Sequence, residues 1–504
     1  MDFTRRIFLG AAAASAAVAQ TQRPSTERPN LILYLPDELR AESIACYGNH
    51  VVKTPNIDKL AADGVRFEQC HVQNPVCGPS RCCLATGWPV HVRGHRSLYY
   101  ALHPDEPNIF RYLKESGYDV YWFGKNDLLA TETFATSVTK AESRGDNSAA
   151  YGQTGARNNP YSEDDPHFYT FLNNPLPDRR KTSDYLNIQA AIEILEQKRD
   201  KPFCIFLPLT FPHVPYAAPA DFHNMYKPAD LPSLRPVTQT RRPRYHQTLR
   251  QIMRLDQLHD ADFRQIQAVY LGMVSYADWL LGELLEAVER TSHTRDTAIF
   301  LASDHGDWAG DYGLVEKWPN AMEDVLTRVP LIVRAPGYKG GHISKEIVEQ
   351  YDIMPTMLEL AKIQARHTHF ALTLTPQMLG EPGDRSRAAF CEGGYNVNEP
   401  QCFEPISQFN VAMAYYPKVA LQNREPDTVT RTVMVRTLRH KLIYRPDDQS
   451  ELYDLEKDPR EANNLYGNSH YAATQADLFH RLMDYYVRTS DVVPRQLDAR
   501  GLPA

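Results

Sequence analysis

The sequence predicts an α/β fold: a large, mixed but mostly parallel sheet flanked by helices, followed by a smaller C-terminal α+β subdomain with an antiparallel sheet. Three observations carry this. Four short apolar runs, Leu31–Leu35, Val120–Phe123, Phe203–Leu207 and Ala298–Ala302, have the composition of strands buried on both faces. Segments of helical periodicity alternate with them up to about residue 365. From about residue 385 the pattern changes to short strands. The length, 504 residues, suits one large and one smaller domain, divided here as 28–375 and 376–504.

Taken in order, residues 1–19 read as an export signal. Arg5-Arg6 precedes the small-residue apolar run Gly10–Val18, and Ala17-Val18-Ala19 offers an A-x-A-like cleavage site. This is the pattern of a twin-arginine signal, so the expected location is periplasmic or extracellular. A polar spacer follows. Leu31–Leu35 then runs into Pro36-Asp37-Glu38, and Thr54–Phe67 reads as a helix with Pro55 near its start. A second helix begins around Ser80–Leu84, with Cys77 just ahead of it, where free N–H groups and the helix dipole favour an anion.

Val120–Phe123 ends at Gly124-Lys125-Asn126-Asp127. Ile188–Gln197 and Tyr270–Glu289 are amphipathic helices around the run Phe203–Leu207, which leads to Pro212-His213. Residues 226–265 form an irregular basic insertion with Arg235, Arg241, Arg242, Arg244, Arg250 and Arg254. It reads as a solvated surface or as a rim for polyanions. Ala298–Ala302 ends at Ser303-Asp304-His305. In the second domain, Val433–Leu438 and Lys441–Tyr444 pair as a hairpin, and Ala473–Val487 is a closing helix.

The net charge of −7 argues against a nucleic-acid partner, and no internal run is long enough to span a bilayer, so no membrane partner is expected. The eight cysteines match no zinc spacing, and a chain this large needs no disulfide framework. Cys204, inside an apolar run, reads as a core residue.

Because ligands bind beyond the carboxyl ends of strands in open α/β sheets, the residues ending the four runs should converge. Cys77 could act as a thiolate with His213 as base. That leaves Asp37, Glu38, Asp304 and His305 unused, whereas clustered oxygen donors suit calcium, or magnesium in its place. A divalent ion beside a nucleophile suits attack on an anionic ester. Lys125 and Lys317 would then neutralise its oxygens, and Arg81 would orient the nucleophile. His213 suits proton donation to the leaving group. His91, Arg93 and His95, just after the helix that begins around Ser80, are candidate ligands for a carboxylate or a second anionic group on the substrate.

At these residues the chain resembles the type I sulfatases of the alkaline-phosphatase-like superfamily. The C-x-P-S-R signature is whole at Cys77-Gly78-Pro79-Ser80-Arg81 and continues as Leu84-Ala85-Thr86-Gly87. Arg28–Leu31 with Asp37, Ser303–Asp307 with Lys317, Arg328–Leu331 and Glu451–Asn464 resemble further landmarks in the family's order. The resemblance implies that Cys77 is oxidised to formylglycine (3-oxoalanine) by a formylglycine-generating or anaerobic sulfatase-maturating enzyme. Its hydrate, deprotonated with help from Asp304, is then the nucleophile. The implied metal set is Asp37, Glu38, Cys77, Asp304 and His305, and the implied activity is hydrolysis of a sulfate ester, on a sulfated glycan by analogy. Two positions depart from the family pattern. Glu38 replaces the second of two paired aspartates, and Asp127 stands where Gly-Lys-x-His has its histidine, leaving Asp127, His91 or His95 as the base. The alternatives are a phosphonate monoester or phosphodiester hydrolase of the same superfamily and a non-catalytic sulfoglycan-binding protein.

Overall fold

Strands form where the apolar runs lie. In a computed structural model, which describes residues 28–145, 159–237 and 241–493, eight strands make the large sheet. They are β1 (Asn30–Leu35), β2 (Val65–His71), β3 (Asp119–Phe123), β4 (Lys140–Glu142), β5 (Phe203–Pro208), β6 (Thr297–Ala302), β7 (Arg328–Arg334) and β8 (His342–Glu349). Their order is β4-β3-β5-β1-β6-β7-β2-β8. Only β7 runs against its neighbours β6 and β2; every other pairing is parallel. The expected export signal, residues 1–19, lies outside the described residues.

The two-residue period of a strand sends alternate side chains to opposite faces. Ile32, Tyr34, Ile205, Leu207, Ile299 and Leu301 enter one core, against the long helix Asp260–Arg290. Leu31, Leu33, Leu35, Cys204, Phe206 and Phe300 enter the other, shared with Cys82, Leu84 and Ala85 of the helix Cys77–Thr86. Tyr34 fastens the sheet to the long helix by donating to the Ala277 carbonyl at 2.6 Å. All eight cysteines are free thiols.

The smaller sheet comprises β9 (Ala389–Gly393), β10 (Thr432–Arg436), β11 (His440–Tyr444) and β12 (Glu451–Asp454), antiparallel throughout. Leu478 and Leu482 of the helix Ala472–Thr489 cover Val433, Val435, Leu442 and Leu452. No helix among the described residues is long and apolar enough to cross a membrane.

Two local expectations are corrected. The helix expected over Thr54–Phe67 covers Pro55–Asp63 only, and Val65 and Phe67 belong to β2. Gly64 makes the break, since a Cβ there would lie 2.6 Å from the Val333 carbonyl oxygen of β7. The basic insertion is solvated only in part, at Arg241 and Arg244, and none of its arginines lines the cavity described below. Arg235 is held by Glu42 at 2.7 Å and Asp311 at 3.1 Å. Arg242 is buried against Tyr453 at 2.7 Å and Glu451 at 3.2 Å, Arg241 donates to the Tyr466 carbonyl, and Arg244 pairs with Asp427. Arg241, Arg242 and Arg244 thus fasten the insertion to the C-terminal subdomain, and Arg235 ties it to the main domain.

The start of the helix Pro55–Asp63 gives a test of pH dependence. Asp278 accepts hydrogen bonds from the Ile57 backbone N–H at 2.7 Å and from Asn56 Nδ2 at 2.9 Å. Burial pushes its carboxyl up to about 7 from an ordinary 3.8. The folded state therefore binds this proton more tightly than the unfolded one. The stability it adds is fully present below pH 3.8 and is lost as pH rises through about 7. Asp278→Asn is expected to flatten the fall of Tm across that window, measured by calorimetry at a series of pH values; an unchanged slope would place the titration elsewhere.

Candidate active site

The carboxyl ends of β1, β3, β5 and β6 deliver the polar residues to one edge of the sheet. β1 delivers Asp37 and Glu38, β3 Lys125 and Asp127, β5 His213, and β6 Asp304 and His305. The ten-residue helix Cys77–Thr86 points its first turn at them. Cys77 is its first residue rather than lying ahead of it, and Val76 provides no side-chain cap. The free N–H groups of this turn face the cluster.

Cys77 Sγ lies 3.1 Å from His305 Nε2, 3.5 Å from Asp37 Oδ1 and 3.7 Å from Lys125 Nζ. Arg81, one turn along the helix, donates Nε to Asp304 Oδ2 at 2.8 Å and a terminal nitrogen to Asp37 Oδ2 at 3.1 Å. Ser80 Oγ donates to the Asp304 carbonyl at 2.6 Å. The C-x-P-S-R residues thus lock two carboxylates in place while presenting residue 77 to them.

Asp37, Cys77, Asp304 and His305 are all buried and each brings one donor atom within 4.8 Å of the others. The donor chemistry fits a hard divalent cation, with two carboxylates and one imidazole. His305 Nδ1 bonds the Gly306 carbonyl at 2.8 Å, which leaves the Nε2 lone pair facing the cluster. Burial, ahead of the pull of Asp304, lowers the affinity of this imidazole for a proton, so it is a neutral donor. Glu38 is placed differently. It groups with Asp37 and His213, pairs with Lys317, and accepts from the Val214 N–H at 3.4 Å.

A second row of charge lies on the pocket side. Lys125 bonds Asp37 at 2.6 Å and Asp127 at 2.8 Å. Burial raises the Asp37 carboxyl, but Lys125, His213, Arg81 and His305 together override it and hold the group well below the usual carboxylate range. Lys317 donates to Glu38, to Glu316 Oε1 at 2.7 Å and to His213 Nε2 at 3.2 Å. Burial disfavours its charge, yet Cys77, Glu316, Glu38 and Asp37 hold the ammonium well above its usual range. His213 Nδ1 bonds the Val214 carbonyl at 2.6 Å, and the Phe211–Pro212 and Val214–Pro215 bonds are both cis.

Cys77, Lys125, Asp127, His213 and Lys317 all line one cavity of about 690 Å³. The proposed substrate ligands His91, Arg93 and His95 do not, and that expectation is corrected. His91 is held by Glu392 at 2.5 Å and the Thr489 carbonyl at 2.8 Å, clasping the closing helix. His95 bridges the Tyr100 carbonyl at 2.6 Å and Glu106 at 2.8 Å. Exposed Arg93 stacks over Trp88. Neither histidine is free to replace the one absent near Asp127. Asp127 itself remains at the site, 3.8 Å from Arg81.

Sequence reasoning missed Glu316 and Lys418. Buried Lys418, from the helix Tyr416–Arg424, donates to Glu316 and to the Lys317 carbonyl, completing a file of alternating charges behind Lys317. It missed also the far wall of the cavity, contributed by residues 395–422.

A model of the sulfatase family matches residues 29–363, and one of the C-terminal region of N-sulphoglucosamine sulphohydrolase matches residues 407–488. An N-acetylglucosamine-6-O-sulfatase of Bacteroides thetaiotaomicron is 25% identical, covering 96% of this chain and 91% of its own. Iduronate 2-sulfatase of Homo sapiens is 26% identical, covering 95% of this chain and 98% of its own. Among solved structures, a phosphonate monoester hydrolase of Agrobacterium radiobacter superposes with a TM-score of 0.73 at 22% identity, covering 93% of this chain and 100% of that one. A protein in complex with its substrate D-glucosamine-2-N,6-O-disulfate superposes with a TM-score of 0.68 at 22% identity, covering 92% and 98%. These superpositions show the alkaline-phosphatase-like fold.

Proposed function

This chain belongs to the sulfatase family and is a sulfuric ester hydrolase, and we propose that it is an exported enzyme that removes sulfate from a sulfated sugar. The observation that carries the reading is the placement of Cys77. It sits at a helix start between a buried oxygen-rich donor set and the cavity lysines Lys125 and Lys317. The names of the relatives supply the sugar.

Asp37, Cys77, Asp304 and His305 would hold a calcium ion, with Glu38 at its edge. Residue 77 as formylglycine would supply a hydroxyl nucleophile, and the cation, when bound, would supply polarisation of the sulfate oxygens. Lys125 and Lys317 bind those oxygens from the cavity side. Arg81 keeps Asp37 and Asp304 oriented. His213 delivers a proton to the departing sugar oxygen at Nε2. Asp127, beside Lys125, takes over proton removal at the position where the family has histidine.

The test is a mass spectrum of the peptide containing residue 77, made in a host able to modify it, together with sulfate release measured by ion chromatography. An unmodified thiol with full activity retained would sink the mechanism. Matched sulfate and phosphodiester substrates address the alternative chemistry, where a large phosphodiester preference would overturn the assignment. Asp127→Ala is expected to lower kcat roughly 10²-fold, with KM falling alongside it because the sulfated enzyme accumulates. The alcohol product should then appear in a burst ahead of free sulfate; equal slowing of both products would remove Asp127 from the release step.

A further inference from the structure

The wall of the cavity facing the lysines identifies the class of sugar. Tyr99, Phe171, Trp318, Tyr395, Phe409 and Tyr415 supply ring faces and edges. Leu98 and Tyr99 continue it to the mouth, where they are 38% and 44% exposed. Apolar ring surfaces of this kind pack against the C–H face of a sugar or another flat, uncharged body.

Between the rings stand side chains that bond hydroxyls. Glu404 receives both Tyr415 OH and Gln422 Nε2 on its Oε1, each at 2.8 Å, so no described protein group is paired with Oε2. Gln408 lines the same wall. The oxygen left over in this aromatic wall accepts from a sugar hydroxyl; burial raises the affinity of Glu404 for a proton, and in its ionised form the group repels an anion.

The charge count points the same way. Among the described lining residues the only lysines or arginines are Lys125 and Lys317, and both are already shared. Lys125 serves Asp37 and Asp127, and Lys317 serves Glu38 and Glu316. The lining also carries Asp127, Glu316 and Glu404. One sulfate uses what cationic character remains. Among the described lining residues, a second sulfate or a uronate would meet no further lysine or arginine and would face Glu404.

Resting on the sulfatase reading above, we propose that the cavity selects a neutral sugar ring carrying a single sulfate, and that Glu404 is the residue that excludes a second anionic group. Polyanionic sugars are therefore poor ligands, even though one structural neighbour has a disulfated sugar as its substrate.

The experiment compares N-acetylhexosamine monosulfates, covering each ring hydroxyl, with the same sugars carrying N-sulfate in place of N-acetyl. Affinity is measured by calorimetry on the calcium-loaded enzyme, and sulfate release is measured in parallel. The best-bound N-acetyl sugar is expected to bind at least about tenfold more tightly than its N-sulfated counterpart. Glu404→Gln, which keeps the shape and removes the charge, is expected to narrow that gap by tightening the N-sulfated sugar. N-sulfated sugars that bind wild type equally well or better would overturn the proposal, as would binding of neither class. A gap unchanged in a folded Glu404→Gln protein would overturn the role of Glu404. Preference in binding without sulfate release from any sugar would sink the sulfatase reading and leave this one standing.

Discussion

Cys77→Ala is expected to lower kcat for sulfate release by at least roughly 10⁴-fold while changing substrate affinity little. The substitution removes the one atom that sits 3.1 Å from His305 and 3.5 Å from Asp37, at the first position of a helix. The groups that bind the anion stay: Lys125 is bonded to Asp37 and Asp127, and Lys317 to Glu38 and Glu316. Arg81 still spans Asp37 and Asp304, so the carboxylates keep their positions. Turnover and binding therefore separate. Sulfate release by ion chromatography reads the first, and calorimetric titration with a sulfated sugar reads the second. An alanine variant within about tenfold of wild type would remove residue 77 from the chemistry.

Most of the positions around residue 77 were legible because they lie at the ends of buried strands. A strand buried on both faces must be apolar, so the polar residues that end it stand out. Pro36-Asp37-Glu38, Lys125-Asn126-Asp127 and Ser303-Asp304-His305 all follow such runs, and sheet topology then brings them together. The C-x-P-S-R helix was legible through its resemblance to the family signature, and the structure places its Arg81 between Asp37 and Asp304.

What escaped the sequence depends on long-range pairing. His91 and His95 have the residue types of substrate ligands, but whether an imidazole faces a cavity or clasps Glu392 or Glu106 is set by segments far along the chain. The arginines of residues 235–254 have the composition of a polyanion rim; their partners, Glu42, Glu451 and Asp427, are too distant in sequence to be foreseen. Lys418 lies in a helix with no local motif, and only the packing of the helix Tyr416–Arg424 behind Lys317 gives it a place near the site. Half of the aromatic wall, Tyr395, Phe409 and Tyr415, likewise comes from irregular segments between β9 and β10, where no periodicity marks a facing side.

His213→Ala is expected to slow hydrolysis of an alkyl sulfate by about 10²- to 10⁴-fold, and that of 4-nitrophenyl sulfate far less. The imidazole is fixed through Nδ1 on the Val214 carbonyl, so Nε2 is the atom turned toward Lys317 and the cavity. Burial, and then the charge of Lys317, holds His213 well below its usual range, which favours the neutral imidazole before substrate binds. A sulfate ester brings negative charge to Lys317 and offsets that effect, so the imidazole gains its proton where the leaving oxygen needs it. A sugar alkoxide is a poor leaving group and requires that proton; 4-nitrophenolate is stable without it. The variant should therefore steepen the dependence of kcat on leaving-group acidity across a series of sulfate esters. A uniform loss across the series would instead mean that His213 only positions Lys317 and Glu38, its neighbours at 3.2 and 3.5 Å, and that the proton comes from elsewhere.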